Sequence, residues 1–109
     1  MQYGVVAGLA KPVSRLVLGT MIVTTKEYER SAKLLDDAVA LGCTTLDTAN
    51  VYAGGDSERA IGRWMEERGN REQVVILTKG CHPNQDRNRV TPHDLATDLA
   101  DSLARLRTS

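Results

Sequence analysis

Apolar residues along this chain fall into two patterns. They form short dense runs, and between those runs they recur every three or four positions. Leu16-Val17-Leu18, closed by Gly19, the run Cys43 to Asp47, and Val74-Val75-Ile76-Leu77 are the dense runs. They are too short for helices and rich in β-branched residues, so they read as strands buried on both faces. Tyr28, Ala32, Leu35 and Val39 recur at helical spacing, with Leu34, Ala38 and Leu41 widening the stripe. Thr24 and Thr25 offer cap hydroxyls ahead of that helix and Gly42 ends it. Ser57 is placed to cap a second helix with Ile61, Trp64 and Met65 on one face, ending near Gly69. Thr91-Pro92-His93-Asp94 predicts a third, with Thr91 as N-cap, Pro92 at the first helical position and an acid three residues after the cap. Leu95, Leu99, Leu103 and Leu106 then line one face. Residues 1–13 read as a short hairpin or an irregular lead-in, and residues 81–90, with Pro83 and Asn84, as a loop.

The order β-α-β-α-β-α, with strands beginning near Arg15, Cys43 and Val74, implies right-handed crossovers and a parallel sheet. A closed (β/α)8 barrel needs about 250 residues. The expected fold is therefore α/β, a partial TIM barrel made of its first three βα units. Residues 1–109 would form the N-terminal part of a single barrel domain, truncated before strand four.

Composition narrows the function. With 14 basic and 14 acidic residues the formal net charge is zero, which points away from a nucleic-acid partner. No run approaches the roughly 18 apolar residues of a membrane span, and no signal peptide opens the chain. Two cysteines, Cys43 and Cys81, are too few for a disulfide framework, so the chain reads as cytoplasmic with reduced thiols.

The chemistry concentrates at 44–58. The second strand ends on Asp47, followed by Tyr52, a Gly54-Gly55 turn and Ser57; the third strand ends on Thr78-Lys79-Gly80. In parallel α/β folds the C-terminal strand edge is where ligands bind. Consecutive strands are commonly neighbours, about 4.8 Å apart, so a carboxylate and an ammonium would meet at one rim with Tyr52 folding back over them. An ammonium beside a phenol stabilises phenolate, making the tyrosine a proton donor to a carbonyl oxygen. Each residue also has a plain structural reading, as loop cap, solvated charge or packing; their placement on successive strand ends is what points to a site. Cys81-His82 lacks further ligands at zinc-like spacing and is read as loop, with no metal. His93 is read as a solvent-exposed first-turn residue and Cys43 as a small core residue.

Gly19-Thr20-Met21, the stretch Leu46-Asp47-Thr48-Ala49-Asn50-Val51-Tyr52 with Ser57-Glu58, and Leu77-Thr78-Lys79 resemble the N-terminal part of the aldo-keto reductase superfamily, from about Val13 to the end of the chain. The resemblance implies an NADPH-dependent reductase of aldehydes or ketones on a (β/α)8 barrel, without metal. By it, Tyr52 is the general acid, Lys79 eases its ionisation and Asp47 partners Lys79. Gly19, Thr20 and Met21 would lie beside the nicotinamide with Asp47. Ala53 stands where relatives commonly carry Gly. The family's catalytic His, on a fourth strand, matches neither His82 nor His93. Two other readings stand beside this one. Lys79 could be a Schiff-base nucleophile of a lyase or aldolase, or the chain could be a non-catalytic product or binding module. Exposed strand edges would make the isolated fragment inactive and prone to self-association.

Overall fold

A computed structural model describes residues 1–109. Three βα units follow one another, as the hydrophobic pattern predicts. After a short antiparallel pair, β1 (Tyr3–Gly4) with β2 (Val13–Ser14), come β3 (Val17–Gly19), α1 (Tyr28–Ala40), β4 (Thr45–Asp47), α2 (Asp56–Arg68), β5 (Val75–Leu77) and α3 (Pro92–Leu106). The order in the main sheet is β3-β4-β5, all parallel. Val17, Thr45 and Val75 share one level, Leu18, Leu46 and Ile76 the next, and Gly19, Asp47 and Leu77 the last.

Successive strand residues face opposite sides of a sheet. The middle level turns toward the helices, where Leu46 is buried with Leu35, Ile61, Trp64, Met65 and Val74, and Leu18 and Ile76 pack against them. The outer levels turn the other way. There the expectation of strands buried on both faces does not hold: Val17 is 47% and Leu77 53% exposed. The three helices all lie on one side, so the opposite face of the sheet carries Asp47 and stays open.

The lead-in is a hairpin, and it closes the N-terminal ends of the strands. Ser14 Oγ accepts from the amides of Thr44 and Thr45 (3.1 and 3.0 Å), and its own amide donates to Thr45 Oγ1. Lys11 Nζ donates to the carbonyls of Arg71 and Val74.

Helix ends differ from expectation in two places. Glu27, not Thr24 or Thr25, occupies the N-cap of α1, with no side-chain cap. Thr25 instead donates from both its amide and hydroxyl to Asp56 at the start of α2, 2.7 Å each. Ser57 lies inside α2, buried and with its hydroxyl unpartnered, while Gly55 at φ 93° precedes the helix. The left-handed turn ahead of α2 carries the chain into the helix two residues early, with Gly55 rather than Ser57 at the N-cap. Gly42, Gly69 and the Thr91–Asp94 capping box lie where the sequence puts them.

The third helix is rotated from its expected setting. Leu95 and Leu99 are 55% and 51% exposed, while Asp94, Asp98, Ser102 and Leu106 form the buried stripe. Two arginines of the preceding loop drive this. Arg87 grips Asp94 and Arg89 grips Asp98, each through two nitrogens at 2.7–3.0 Å. Bidentate ion pairs of this kind are strong and directional. The guanidinium of Arg87 and the Thr91 cap hold the Asp94 carboxyl well below the usual carboxylate range, and Arg89 lowers that of Asp98. Cys43 is half-buried rather than core, its thiol donating to Leu16 O.

Candidate functional site

Backbone hydrogen bonds continue the parallel ladder past the strand ends and so build the rim. The Thr48 amide donates to Leu77 O (2.8 Å), the Asn50 amide to Lys79 O (2.9 Å) and the Thr20 amide to Asp47 O (3.0 Å). Asp47 stands in register with Gly19 and Leu77 on the open face of the sheet. Two residues beyond β5, the ammonium of Lys79 donates to the Asp47 carboxylate and, at 2.5 Å, to Thr48 O.

Tyr52 reaches the same place through a tight turn. Residues Tyr52–Gly55 form a single 3-10 turn in which Ala53, Gly54 and Gly55 all adopt left-handed backbone (φ 52°, 64° and 93°). Three such residues in succession reverse the chain within one turn. The tyrosine ring thereby lies under the Lys79 ammonium, 4.9 Å from ring centroid to Nζ. Glycine takes this conformation freely; an alanine there carries about 1–2 kcal/mol of strain. The position after Tyr52 is thus one that favours glycine on geometric grounds.

Partial burial pulls the Lys79 pKa down, but interaction with the Asp47 carboxylate and the Tyr52 phenol outweighs it and sets the value above the ordinary lysine one. Lys79 is therefore a fixed cation, held from one side by an acid and set against a phenol on the other. A nucleophilic lysine needs the opposite shift. Proton donation by Tyr52 suits the arrangement, since the ammonium is in place to take up negative charge that develops on the phenol oxygen.

Val51, Tyr52, Lys79, Cys81, His82 and Pro83 line a cavity of about 380 Å³ at this rim. His82, read from the sequence as plain loop, is exposed there. Its carbonyl accepts from Arg89. His93 is exposed in the first turn of α3, remote in sequence from this lining. No group of three or more His, Cys, Asp or Glu side chains gathers to hold a metal ion, and no helix is long and apolar enough to cross a membrane.

Gly19, Thr20 and Met21 follow β3 at the same rim in two different settings. Nothing lies within 4 Å of the point where a Gly19 side chain would begin, and Met21 is 65% exposed. Thr20 is fully buried and its hydroxyl donates to Asp47 O at 3.0 Å. Thr20 thus braces the carboxylate strand from behind, while its neighbours face outward.

Sequence reasoning identified the three rim residues but not what anchors them. Asp98 accepts the Cys81 amide (2.8 Å), and a Cβ at Gly80 would lie 3.0 Å from the Asp98 Cβ. Asn50 donates from its side chain to Asp98 O and Ser102 Oγ. The one available signal was the polar spacing Asp94, Asp98, Ser102, a stripe overshadowed by the leucines beside it.

Residues 15–109 match the Aldo/keto reductase family. An aryl-alcohol dehydrogenase [NADP(+)] of Phanerodontia chrysosporium is 43% identical over 81 residues, covering 66% of this chain and 21% of that protein. The uncharacterized oxidoreductase YrpG of Bacillus subtilis is 34% identical over 121 aligned positions, covering 99% of this chain and 37% of that one. Among solved structures, the holo form of an aldo-keto reductase, AKR11C1, from Bacillus halodurans superimposes with a TM-score of 0.82 at 26% identity, over 99% of this chain and 37% of that one. The three βα units are accordingly part of a (β/α)8 barrel. The chain spans between 21% and 37% of the length of these relatives.

Proposed function

Since the chain belongs to the aldo/keto reductase family, we propose that it forms the proton-donating side of an NADPH-dependent reductase of small aldehydes or ketones. The observation that carries this reading is the Lys79 ammonium, bound to Asp47 and set against the ring of Tyr52. In this reading Tyr52 gives its proton to the carbonyl oxygen of the substrate. Lys79 balances the charge left on the phenol, and Asp47 keeps Lys79 charged and aimed. NADPH, when bound, supplies the hydride to the carbonyl carbon.

The outward residues of the β3 rim fit a flat ring. Gly19 offers backbone with no side chain in the way and Met21 an exposed thioether stem, with the Asp47 carboxylate alongside. Thr20 contributes by holding Asp47 in place, its hydroxyl being committed to the Asp47 carbonyl. The name of the fungal relative, an NADP(+) aryl-alcohol dehydrogenase, supports the choice of NADPH and a carbonyl–alcohol pair.

We infer that residues 1–109 do not turn over by themselves, because the sheet face that carries Asp47 and both outer strand edges are open. They are expected to associate through that surface. NADPH consumption by a monomeric 109-residue chain would overturn this. In the complete gene product, Tyr52→Phe is expected to lower kcat for NADPH-dependent reduction of an aromatic aldehyde by about 10²–10⁴. An unchanged kcat would remove Tyr52 from the role of proton donor.

A further inference from the structure

We propose that Glu58 and Arg105 are positioning residues: a buried ion pair between α2 and α3 that fixes the Tyr52 turn and the Lys79 segment relative to each other. This rests on the reading of Tyr52 and Lys79 as a proton-donor pair and extends it to two residues that do not touch the cavity.

Glu58 is completely buried in the first turn of α2, and its two carboxylate oxygens are divided between two elements. One accepts from Thr78 Oγ1 at 2.6 Å, the residue immediately before Lys79. The other accepts from Arg105 Nη1 of α3 at 3.2 Å. The same Arg105 nitrogen donates at 2.8 Å to Asn50 O, two residues before Tyr52. The guanidinium also packs under the turn itself, since a Cβ on Gly55 would fall 2.6 Å from Arg105 Cζ. One ion pair therefore touches the residue ahead of the lysine, the carbonyl two residues ahead of the tyrosine, and the last residue of the turn that carries it.

Simple adhesion between helices does not account for this arrangement. A buried ion pair is seldom more stabilising than apolar side chains of similar volume, and α2 and α3 already meet closely, with Gly62 against the Arg105 carbonyl. The pair provides direction instead. Each hydrogen bond ends on a backbone or side-chain atom flanking the rim, so Lys79 and Tyr52 are referred to one common anchor.

Around Lys79 the groups that titrate or carry charge are Asp47 from β4, Tyr52 from the turn, and Cys81 and His82 from the following loop, with Asp98 of α3 beneath Gly80 and Arg89 paired to it. Their influence on Lys79 gives a readout that does not depend on turnover. With ε-¹³C-lysine in the complete gene product, the ionisation of Lys79 is followed by NMR, its signal assigned by substitution of Lys79. Tyr52→Phe is expected to raise the Lys79 acid dissociation constant about threefold in the parent chain. In a Glu58→Leu/Arg105→Met background, which removes both charges while retaining bulk, the chain should stay folded by circular dichroism. There Tyr52→Phe should change that constant by less than about 1.5-fold.

A full threefold effect in the folded double variant would overturn the positioning role and leave the proton-donor reading intact. No effect of Tyr52→Phe in the parent chain would overturn the proton-donor reading, and this inference with it. If the double variant does not fold, Arg105→Lys decides. It keeps the charge opposite Glu58 but loses the planar fork, and it should cut the coupling by at least about half; full coupling in that variant overturns the proposal.

Discussion

Tyr28 and Tyr52 each hold a cation against the ring, yet the two sites are built for opposite ends. At Tyr28 the cation is Arg63, 3.6 Å from the ring centroid, and the hydroxyl donates to Glu67 at 2.7 Å. Burial first, and then the Glu67 carboxylate, push the Tyr28 phenol up to about 12 against the counter-pull of Arg63. Its proton is locked between two helices. At Tyr52 the carboxylate binds the cation instead: Asp47 accepts from Lys79, whose ammonium lies against the Tyr52 ring. A cation near the ring is common to both. In the proposed reading, the proton donor differs from the structural bolt in what the acid binds: the phenol itself at Tyr28, the cation at Tyr52.

Substitutions at the two tyrosines should separate these roles. The widest contrast is in turnover of the complete gene product. Against the loss expected for Tyr52→Phe, Tyr28→Phe should hold kcat within about twofold, far short of a general-acid effect. A comparable loss at both positions would erase the distinction.

Next in size is the alkaline limb of stability. The Tyr28 pKa is raised on folding, so its contribution is complete below the ordinary tyrosine value of about 10. It is lost as pH rises from there toward about 12. Lys33 and Lys79, also raised in the folded chain, weaken the fold in the same direction as they deprotonate. Thermal melts from neutral pH upward should therefore show falling Tm, with a shallower fall in Tyr28→Phe. At neutral pH, Tyr28→Phe should cost a few °C through the lost Glu67 contact, and Tyr52→Phe less than that. The smallest effect is expected at Ala53→Gly. Relief of left-handed strain, less the extra freedom glycine has when unfolded, should leave a gain of roughly 0.5 kcal/mol in denaturant titrations. A loss of stability would show that the Ala53 methyl packs usefully.

The fold and the rim were legible in the sequence to different depths. The alternation of dense and spaced apolar runs gave three βα units. A strand ending on Asp47, and Lys79 just past the end of the next, carried enough geometry to bring carboxylate and ammonium together, because neighbouring parallel strands leave little choice of distance. The setting of α3 was not legible. Leu95, Leu99, Leu103 and Leu106 make a strong stripe, but Arg87 and Arg89 fasten Asp94 and Asp98 instead, and no local pattern announces which loop arginine will meet which helix acid. Ser57 was a plausible cap by residue type. The left-handed run Ala53-Gly54-Gly55 displaced it, a backbone event that Gly54-Gly55 hinted at but did not place. The Glu58–Arg105 pair joins residues 47 positions apart and has no sequence signature at all.

The hairpin that begins the chain has a consequence for traffic. With Ser14 tied to Thr44 and Thr45, and Lys11 to the carbonyls of Arg71 and Val74, the floor beneath the strands is stoppered by the chain's own first residues. The Lys79 ammonium lies at the other end of those strands, so it is reached from the C-terminal rim or across the open face of the sheet, and not from below.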